Sequence, residues 1–511
     1  MQLGIDISTD AVRVACMHAG QACMLSFSDG AQSFPALARQ TMRGLVLGEA
    51  AAQALVGNQE TTVQGCTRLM GRPAQALQLR EHLPFGIREH NGEVVCNLLY
   101  AEVQASTIYG QLIREAVERA QSTLGVQAER VVLCVPASAE DRFRIQARAA
   151  AQAAGICVNR LINQPAAALL ALQAHNPSAS QGAVAIVACG GGTTEVSIAQ
   201  PHGQGYRIRA TSADAMLGGE DMIWTVAEQL NQRFQAQAGI DVMHIGNSRT
   251  QAYGLFRASQ QAMQRLSELY ETLLTIDHGG GFGRDLAIVL RRADVDAWLK
   301  AHMQRVAELC RHCMRAARLS PKAISKVVLI GDWTWMPSMR ECIADAFAKA
   351  VAELYSTEAA NLAALGAAMA AQQQAPSVWD VTPYALGIAC YYTDQELFSP
   401  IIPANTAIPT APIGTAEAHS QAYWTRHPDQ DSATLSVLQY RGLHNADPYG
   451  PEKVRPEECE LLGRWEFRGL RPKRGQHASF TVSFAIDMDG ILQLKACETG
   501  TGHMLQASVE F

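Results

Sequence analysis

The sequence predicts two α/β lobes followed by an all-β domain. Apolar runs of strand length alternate with helical patterns through residues 1–372, as in α/β proteins. Two strand–turn–strand segments with small-residue turns, at residues 3–17 and 183–199, open two halves of similar design. Beyond about residue 375 no amphipathic helix is found, and strands with strict apolar–polar alternation take over. These three observations carry the fold class.

The composition is that of a globular protein of several domains. The chain has 511 residues, 48% of them hydrophobic and 18% charged, with a net charge of −6. That balance, with no Lys/Arg stripe, argues against a nucleic-acid partner. No apolar run reaches the roughly 20 residues that cross a bilayer, and no export signal is evident. We therefore expect no membrane partner.

The cysteines indicate a reducing, cytoplasmic location. There are 13, an odd number at irregular spacings. One Cys-x-x-Cys pair, Cys310 and Cys313, falls inside a helical pattern. Metal or redox chemistry there needs a second pair or a strand-to-helix junction, so we interpret both as structural thiols.

The first half opens with a hairpin over residues 1–18. A helix is predicted over 106–124 and a buried strand over 131–136. Ser138 and Asp141 resemble a capping box that starts a helix running to about Ala154. A strand then turns into a helix at Asn163–Pro165, where a proline suits the first helical turn.

The second half opens with the triple glycine of residues 190–192. Only glycine lets backbone N–H groups approach a phosphate without an intervening Cβ. Helices are predicted from LGGED (217–221) to about Phe234, over 250–274 and 293–317, and over the small-residue segment 361–374. A buried strand at 327–337 runs into a turn.

The all-β domain, residues 380–511, follows a linker at 375–377. Strands are predicted over 433–440, 480–487 and 491–496, with Asp489–Gly490 as a hairpin turn. Phe480, Val482, Phe484 and Ile486 share one face of their strand.

Several motifs, taken in order, resemble the 70-kDa heat-shock chaperones of the DnaK type. They are the run from Val135 to Leu172, GGGT, LGGED, the IGxxTxMP turn, LGAA, DVTPYALGI, NTAIPT and IDMDGIL. The resemblance covers residues 1–511. It implies an actin-like nucleotide-binding domain of two duplicated, ribonuclease-H-like lobes (1–374), a linker (375–381) and a β-sandwich that grips peptides (382–511).

The resemblance also implies ATP or ADP with Mg²⁺, an unfolded or extended client polypeptide, and a J-domain co-chaperone. In that family the nucleotide sets how tightly the peptide is held. The family's α-helical lid and tail are absent from this sequence, so we expect faster peptide release or a different kind of client.

The resemblance places nucleotide contacts at positions where this sequence often departs from the family. The set is Asp6, Ser8, Thr9, Asp10, Gly190, Gly191, Gly192, Thr193, Gly218, Gly219, Gln260, Met263, Gln264, Gly331, Asp332 and Trp335. Asp6 matches a metal-shell aspartate. Ser8 and Asp332 replace glycines, and Asp10 replaces a threonine that faces phosphate.

The nucleoside side departs further. Gln260, Met263 and Gln264 replace a glutamate, a lysine and an arginine, and Trp335 replaces an arginine that stacks on adenine. Trp335 and the adjacent Trp333 either fill a vacated pocket or stack on another planar ligand.

The catalytic positions are replaced as well. The family's catalytic lysine falls on Thr67, its catalytic glutamate on Gln164, and an aspartate of the metal's water shell on Ala188. Glu195 conservatively replaces another aspartate. Each loss of a proton-transfer group typically costs roughly 10²–10⁴ in rate.

The positions that match the family's interdomain relay are kept. They are Pro136, Arg144, Arg160, Asn163 and Asp380. Each also has an ordinary structural interpretation, such as a turn proline or a surface arginine, so their retention favours a preserved lobe interface without establishing signalling.

The peptide site is expected at Tyr391, an arch position, and near Arg426 and Thr434. A cation and a hydroxyl there disfavour a buried leucine anchor. This alignment needs a one-residue insertion at 427–431. The alternative is a register shifted by one, which reverses the facing of every side chain.

Three functions follow from these observations. The first is a chaperone-like binder of extended polypeptide with weak or absent ATP hydrolysis. The second is an ATP-dependent folding chaperone whose site uses the replacement residues. The third, a structural role through lobe assembly, has no sequence feature in its favour.

Overall fold

Two lobes and a sandwich of two antiparallel sheets make up the fold in the computed structural model. The structure describes residues 1–508 apart from 28, 56–57, 75–76, 78–82, 176–181, 245–247, 277–285, 352–353, 356–357, 373–377, 441 and 443–452. The predicted linker at 375–377 therefore lies outside the described residues.

Lobe I is built on a six-stranded sheet with the order β12–β11–β1–β2–β3 and β4 beside β2. Its elements are β1 Gln2–Ile7, β2 Ala11–His18, β3 Gln21–Met24, β4 Ser33–Pro35, β5 Leu37–Thr41, β6 Gly44–Leu47, α1 Gly48–Gln53, β7 Thr62–Gln64, β8 Gly86–His90, β9 Glu93–Asn97, β10 Glu102–Gln104, α2 Ala105–Leu124, β11 Arg130–Val135, α3 Asp141–Ala153, β12 Val158–Asn163 and α4 Gln164–His175. Strands β1 and β2 form the predicted hairpin, and β11 and β12 add to it in parallel.

Lobe II repeats this pattern on a seven-stranded sheet. Its elements are β13 Ala183–Cys189, β14 Thr194–His202, β15 Gly205–Asp214, α5 Gly219–Ala238, α6 Ser248–Leu266, β16 Glu271–Ile276, β17 Leu286–Arg291, α7 Arg292–Trp298, α8 Lys300–Ala316, β18 Ile324–Ile330, α9 Pro337–Ala346, β19 Leu354–Tyr355 and α10 Leu362–Ala370. The hairpin β13–β14 again opens the sheet, and β18 and β19 join it in parallel. Two hairpin-led sheets with parallel additions are consistent with the duplicated lobes that the resemblance implies.

The small-residue helices α4 and α10 pack between the two sheets. Their alanines share one buried cluster with strands from both lobes. A Cβ on Gly366 would lie 1.7 Å from the carbonyl oxygen of Ala167, so only glycine allows this approach. The sequence NLAALGAAMA therefore serves close helix packing.

The β-sandwich begins beyond an edge strand that extends the sheet of lobe II. Its elements are β20 Val378–Val381, β21 Ala385–Tyr392, β22 Gln395–Ile402, β23 Ala407–Ile408, β24 His419–Trp424, β25 Ser432–Tyr440, β26 Glu460–Arg468, β27 Ser479–Ile486, β28 Leu492–Glu498 and β29 Met504–Ser508. Strand β20 pairs in parallel with β15 and antiparallel with β23. The sheets β22–β21–β25–β26 and β24–β27–β28–β29 enclose one core, and the predicted face of Phe480, Val482, Phe484 and Ile486 is buried in it.

Two local predictions are wrong. The helix expected to reach residue 274 ends at Leu266, because residues 271–276 form β16 and pair with β17. Ser138 and Asp141 do not form a capping box. The Ser138 hydroxyl donates to Glu195, and an Asp141 carboxylate oxygen accepts the Leu492 N–H at 2.9 Å.

The helix predicted over 293–317 is present as α7 and α8, which are separated at Leu299. Cys310 and Cys313 are buried in α8, and the Cys313 thiol donates to the Val196 carbonyl at 3.2 Å, which fits the structural interpretation. Within the described residues, no helix combines the length and the apolar composition needed to span a bilayer.

Candidate functional site: the cleft between the lobes

The turns of the two leading hairpins face each other across a cleft between the lobes. Thr9 of the first turn packs against the glycine turn, and a Cβ on Gly191 would lie 2.7 Å from the Thr9 Cβ. The Gly219 N–H donates to the Gly190 carbonyl at 3.0 Å, and the Glu220 N–H to that of Gly191 at 2.8 Å. Two N–H groups at the start of α5 thus donate hydrogen bonds to the glycine turn.

Residues from both lobes line the cleft. Those predicted from the sequence are Ser8, Thr9, Thr67, Pro136, Gln164, Gly190, Gly192 and Thr193. The structure adds two cations, Arg68 and Arg72, and the carboxylate of Glu140. The phosphate-loop predictions therefore converge on one place.

The catalytic positions hold neither a base nor a cation. Gln164 donates from its Nε2 to Asp6 Oδ1 at 2.8 Å. Burial raises the pKa of Asp6, although the Gln164 hydrogen bond and the nearby Arg13 oppose that shift. An amide cannot accept a proton at neutral pH, and Thr67 supplies no fixed charge. Ala188, at the end of β13, offers no ligand.

Glu195 has a different role from the one expected. Its carboxylate accepts the N–H groups of Ala137 and Ser138 at 2.8 and 2.9 Å, and the Ser138 hydroxyl as well. Burial raises its pKa. Glu195 is not among the cleft-lining residues; it ties β14 to the segment before α3.

Asp332 crosses the cleft to reach lobe I. Its carboxylate accepts from Arg13 Nη2 at 2.5 Å and from the Ser8 hydroxyl at 2.9 Å. The Arg13 and Asp332 side chains are only 11% and 18% exposed. The residues that replace two family glycines, Ser8 and Asp332, are therefore bonded to each other.

The adjacent Trp333 makes a second crossing. Its indole N–H points to Asp10 Oδ2 at 3.4 Å, and Gln64 donates to the other oxygen of Asp10 at 2.9 Å. The indole lies on Gly219, where a Cβ would come within 1.9 Å of it. Trp333 is buried, and the Trp335 ring is 5.2 Å away. This geometry matches a pocket filled by the protein itself.

The remaining nucleoside positions do not point into the cleft. Met263 is buried in the core of lobe II, Gln264 is exposed, and Gln260 accepts from Arg257 at 2.9 Å. Gly331, with φ of +92°, allows the chain to turn beside the Cys189 carbonyl.

The residues present do not fit a nucleotide with Mg²⁺. The Asp332 and Trp335 side chains stand at positions where the resemblance places nucleotide contacts, and Trp333 lies beside them. In the phosphate half, Arg68 is paired with Glu220 and Asp221 at 2.6 and 2.7 Å. Of the expected metal ligands only Asp6 remains, and it is buried against Gln164.

The relay residues do meet, at the contact between lobe I and the β-sandwich. Arg144 donates to Asn163 Oδ1 at 2.7 Å and to the Asp489 carbonyl at 3.0 Å. Arg160 and Asp380 line the same small pocket. Burial raises the pKa of Asp380 to about 6. Pro136 instead lines the cleft.

The sequence identified Asp489–Gly490 only as a hairpin turn, yet it is the docking point of the sandwich. The Asp489 carboxylate accepts the Leu161 N–H at 2.8 Å and also pairs with Arg148. Gly490, with φ of +78°, leaves room for Arg144, whose guanidinium carbon would lie 2.9 Å from a Cβ there.

The predicted peptide arch is only partly assembled. The Arg426 guanidinium stacks on the Tyr391 ring at 3.8 Å, and both side chains are exposed. Thr434 is exposed, whereas its neighbour Leu435 enters the sandwich core. Thr434 therefore faces away from the sandwich core, and Ala433 and Leu435 face it.

Arg13, Gln64, Ser138 and Asp489 are the contacts that sequence reasoning missed. The available signal was weak: Arg13 and Asp332 are unusual charges beside two predicted turns, but nothing in the sequence pairs residues 319 positions apart.

Two hairpin-led lobes lie around a glycine-lined cleft and are joined through an edge strand to a β-sandwich, which is consistent with the architecture that the resemblance implies. Residues 2–510 match the family described as Hsp70 protein, and the chain belongs to that family. Members are expected to bind ATP or ADP with Mg²⁺, and the misfit described above concerns this chain's own residues.

Curated relatives agree with the family. The chain is 30% identical over 519 residues to Chaperone protein HscA of Pectobacterium carotovorum subsp. carotovorum (strain PC1), which covers 100% of this chain and 78% of the relative. It is 28% identical over 519 residues to the HscA homolog of Shewanella sp. (strain ANA-3), with the same coverage. For the homolog of Acidithiobacillus ferrooxidans (strain ATCC 53993 / BNL-5-31) the identity is 29% over 510 residues, covering 98% and 76%.

Proposed function

We propose that the protein is a chaperone-like binder of unfolded or extended polypeptide with weak or absent ATP hydrolysis. The hydrogen bond from Gln164 to Asp6 carries the second half of this proposal. It joins the position expected for the catalytic base to the one remaining metal-ligand position, so an amide that cannot take a proton occupies one oxygen of Asp6.

The β-sandwich, taken as residues 382–511, is the client site in this proposal, with 1–374 as the two-lobed unit and 375–381 as the linker. The Arg426–Tyr391 stack replaces an apolar arch with a cationic one. A guanidinium held on an aromatic face keeps its N–H donors available to a carboxylate. This favours clients with an acidic residue near the apolar segment.

A J-domain co-chaperone is the second proposed partner. Arg160, Asn163 and Asp380, which match family positions near the linker and that dock, line one small pocket at the lobe I contact. The thirteen free cysteines support a cytoplasmic location.

The alternative is an ATP-dependent folding chaperone. The intact glycine turn, Thr9 and Asp6 favour it, because backbone donors near residues 190–193 survive.

One pair of measurements separates these functions. Fluorescence anisotropy of a labelled, extended apolar peptide tests binding, and phosphate release tests hydrolysis. We expect saturable peptide binding that MgATP does not alter, with no phosphate release above a protein-free blank. Absence of peptide binding would contradict the binder. Peptide release on adding MgATP, with phosphate release, would establish the alternative.

A further inference from the structure

Three residues that replace the family's nucleotide contacts, Ser8, Asp10 and Asp332, form a cluster across the cleft together with Arg13 and Trp333. Ser8, Asp10 and Arg13 come from the β1–β2 hairpin of lobe I, and Asp332 and Trp333 come from the turn after β18 of lobe II. We call these five residues the cross-cleft cluster. We infer that this cluster holds the two lobes closed without a nucleotide.

The ionic half of the cluster is Arg13 with Asp332. The guanidinium reaches both carboxylate oxygens, at 2.5 and 3.3 Å, and Ser8 adds a third donor at 2.9 Å. Paired, largely buried charges with several donors are stronger than exposed pairs, because solvent screens them less. Arg13 lies in β2 and Asp332 lies in the turn directly after β18, so the contact links the sheets of the two lobes.

The apolar half of the cluster is Trp333. Its backbone N–H donates to the Cys189 carbonyl at 3.0 Å, which fixes the residue beside the glycine turn. Its ring covers Gly219, and its indole N–H faces Asp10 of the opposite lobe. The Trp333 indole therefore occupies the space over Gly219 and leaves no room there for the planar base of a nucleotide.

Charge in the cluster also disfavours a polyphosphate. Asp332 lies close enough to Asp6 and to Asp10 to disfavour the charged form of each, and Arg13 is the cation that pairs with Asp332. An entering anion would meet this carboxylate excess in a poorly solvated place.

Two further sets of contacts join the lobes, at α5 and at α6 of lobe II. Arg68 of lobe I pairs with Glu220 and Asp221 of α5, and Tyr253 of α6 donates to Gln64 of lobe I at 2.9 Å. With three separate bridges, a rotation of one lobe must break several contacts together.

Closure of the lobes bears on the β-sandwich because the sandwich and its leading strand touch both lobes. Asp489 docks on lobe I through Leu161 and Arg148. Strand β20 pairs with β15 of lobe II, and Asn405 accepts the Thr211 N–H at 3.0 Å. If the lobes are held fixed, both surfaces that contact the sandwich keep their relative position. The sandwich then stays docked whether or not a nucleotide is present. This inference rests on the proposed function, because both expect that nucleotide does not act at this cleft.

Amide hydrogen exchange of the full-length protein, freed of nucleotide, tests this inference. The reporters are the amides of residues 158–163 and 378–381, which form the docking surfaces. In the wild type we expect slow exchange that is unchanged by MgATP or MgADP. Asp332→Ala should speed exchange at both reporters by about tenfold or more, which corresponds to about 1.4 kcal/mol. Asp332→Asn removes the charge but keeps the side-chain volume, so it controls for misfolding of the alanine variant. It should speed exchange at the same reporters.

The exchanged pair Arg13→Asp with Asp332→Arg should restore much of the slow exchange. Arg305→Ala is the matched control, because Arg305 pairs with Asp214 at 2.6 Å within lobe II and crosses no cleft. It should leave both reporters unchanged.

Wild-type exchange in Asp332→Ala and Asp332→Asn, or a nucleotide-dependent change in the wild type, would overturn the inference. Failure of the proposed function would be a separate result, because peptide binding is measured by fluorescence anisotropy and not by hydrogen exchange. A protein that binds peptide but whose exchange ignores Asp332 refutes the cluster alone.

Discussion

Arg426 illustrates how one side chain can set what a binding site accepts. Its guanidinium lies 3.8 Å from the centre of the Tyr391 ring at the edge of the sandwich. An apolar client segment gains nothing from an exposed cation, whereas a carboxylate gains a charge-assisted hydrogen bond.

We therefore predict that Arg426→Met reverses client preference. Relative to the wild type, binding of a peptide with one acidic residue should weaken by about tenfold, or about 1.4 kcal/mol. Binding of the neutral peptide should hold or improve. Peptide anisotropy at low and high salt measures both.

Arg43→Met, on an exposed turn of lobe I, removes the same charge away from the site and serves as the control. An unchanged ratio of acidic to neutral binding in Arg426→Met would show that the stack plays no part in recognition.

A local motif allows single residues to be placed from the sequence, whereas a contact with a distant partner cannot be predicted from it. The glycine turn, Thr9 and Gln164 converge on the cleft as expected. The roles of Glu195 and Asp332 could not be deduced, because Ser138 and Arg13 approach them only in the folded chain. Thr434 depended on a register that one residue reverses.

At the scale of elements, helix α3 and the β27–β28 turn form a contact with a titratable group. The Asp141 carboxylate, at the start of α3, accepts the Leu492 N–H. Burial raises its pKa to about 7, while that hydrogen bond and Arg144 act in the opposite direction. In the unfolded chain an aspartate titrates near 3.9.

This difference predicts that the protein is more stable at pH 6 than at pH 8. The folded state takes up a proton near pH 7 that the unfolded state does not bind, so the free energy of unfolding rises as pH falls toward the unfolded pKa. Burial also raises the pKa of Glu220 to about 7, which adds in the same direction. The gain is on the order of a few kcal/mol.

Urea unfolding at the two pH values measures this effect. Asp141→Asn keeps a carbonyl acceptor for Leu492 but cannot titrate, so its midpoint should differ less between pH 6 and pH 8. A wild-type midpoint that is equal or lower at pH 6 would contradict the prediction.

Elements with a clear period were predictable, and their ends were not. The hairpins β1–β2 and β13–β14 and the apolar face of β27 follow from local pattern alone. Strand β16 was mistaken for helix because its pairing partner, β17, lies beyond residues 277–285. The predicted capping box does not form because Ser138 and Asp141 hydrogen-bond to residues that are distant in the sequence.

At the scale of the whole molecule, the lobes, the edge strand and the sandwich are bonded to one another by the protein's own side chains. Arg13–Asp332 and Arg68–Glu220 join the lobes, and Asp489 joins the sandwich to lobe I. The order of α/β and all-β parts was readable from periodicity. Their mutual docking was not, because the contacts bring together residues that are hundreds of positions apart.

Calorimetric titration of MgADP and MgATP into the purified full-length chain tests the central claim most directly, with tryptophan fluorescence as a second readout. Trp333 and Asp332 occupy positions where the resemblance places nucleoside contacts, and both are bonded to lobe I. The account therefore predicts no heat and no fluorescence change up to millimolar nucleotide. Heat with a tryptophan signal at micromolar nucleotide would contradict it and would make this chain a nucleotide-gated member of its family.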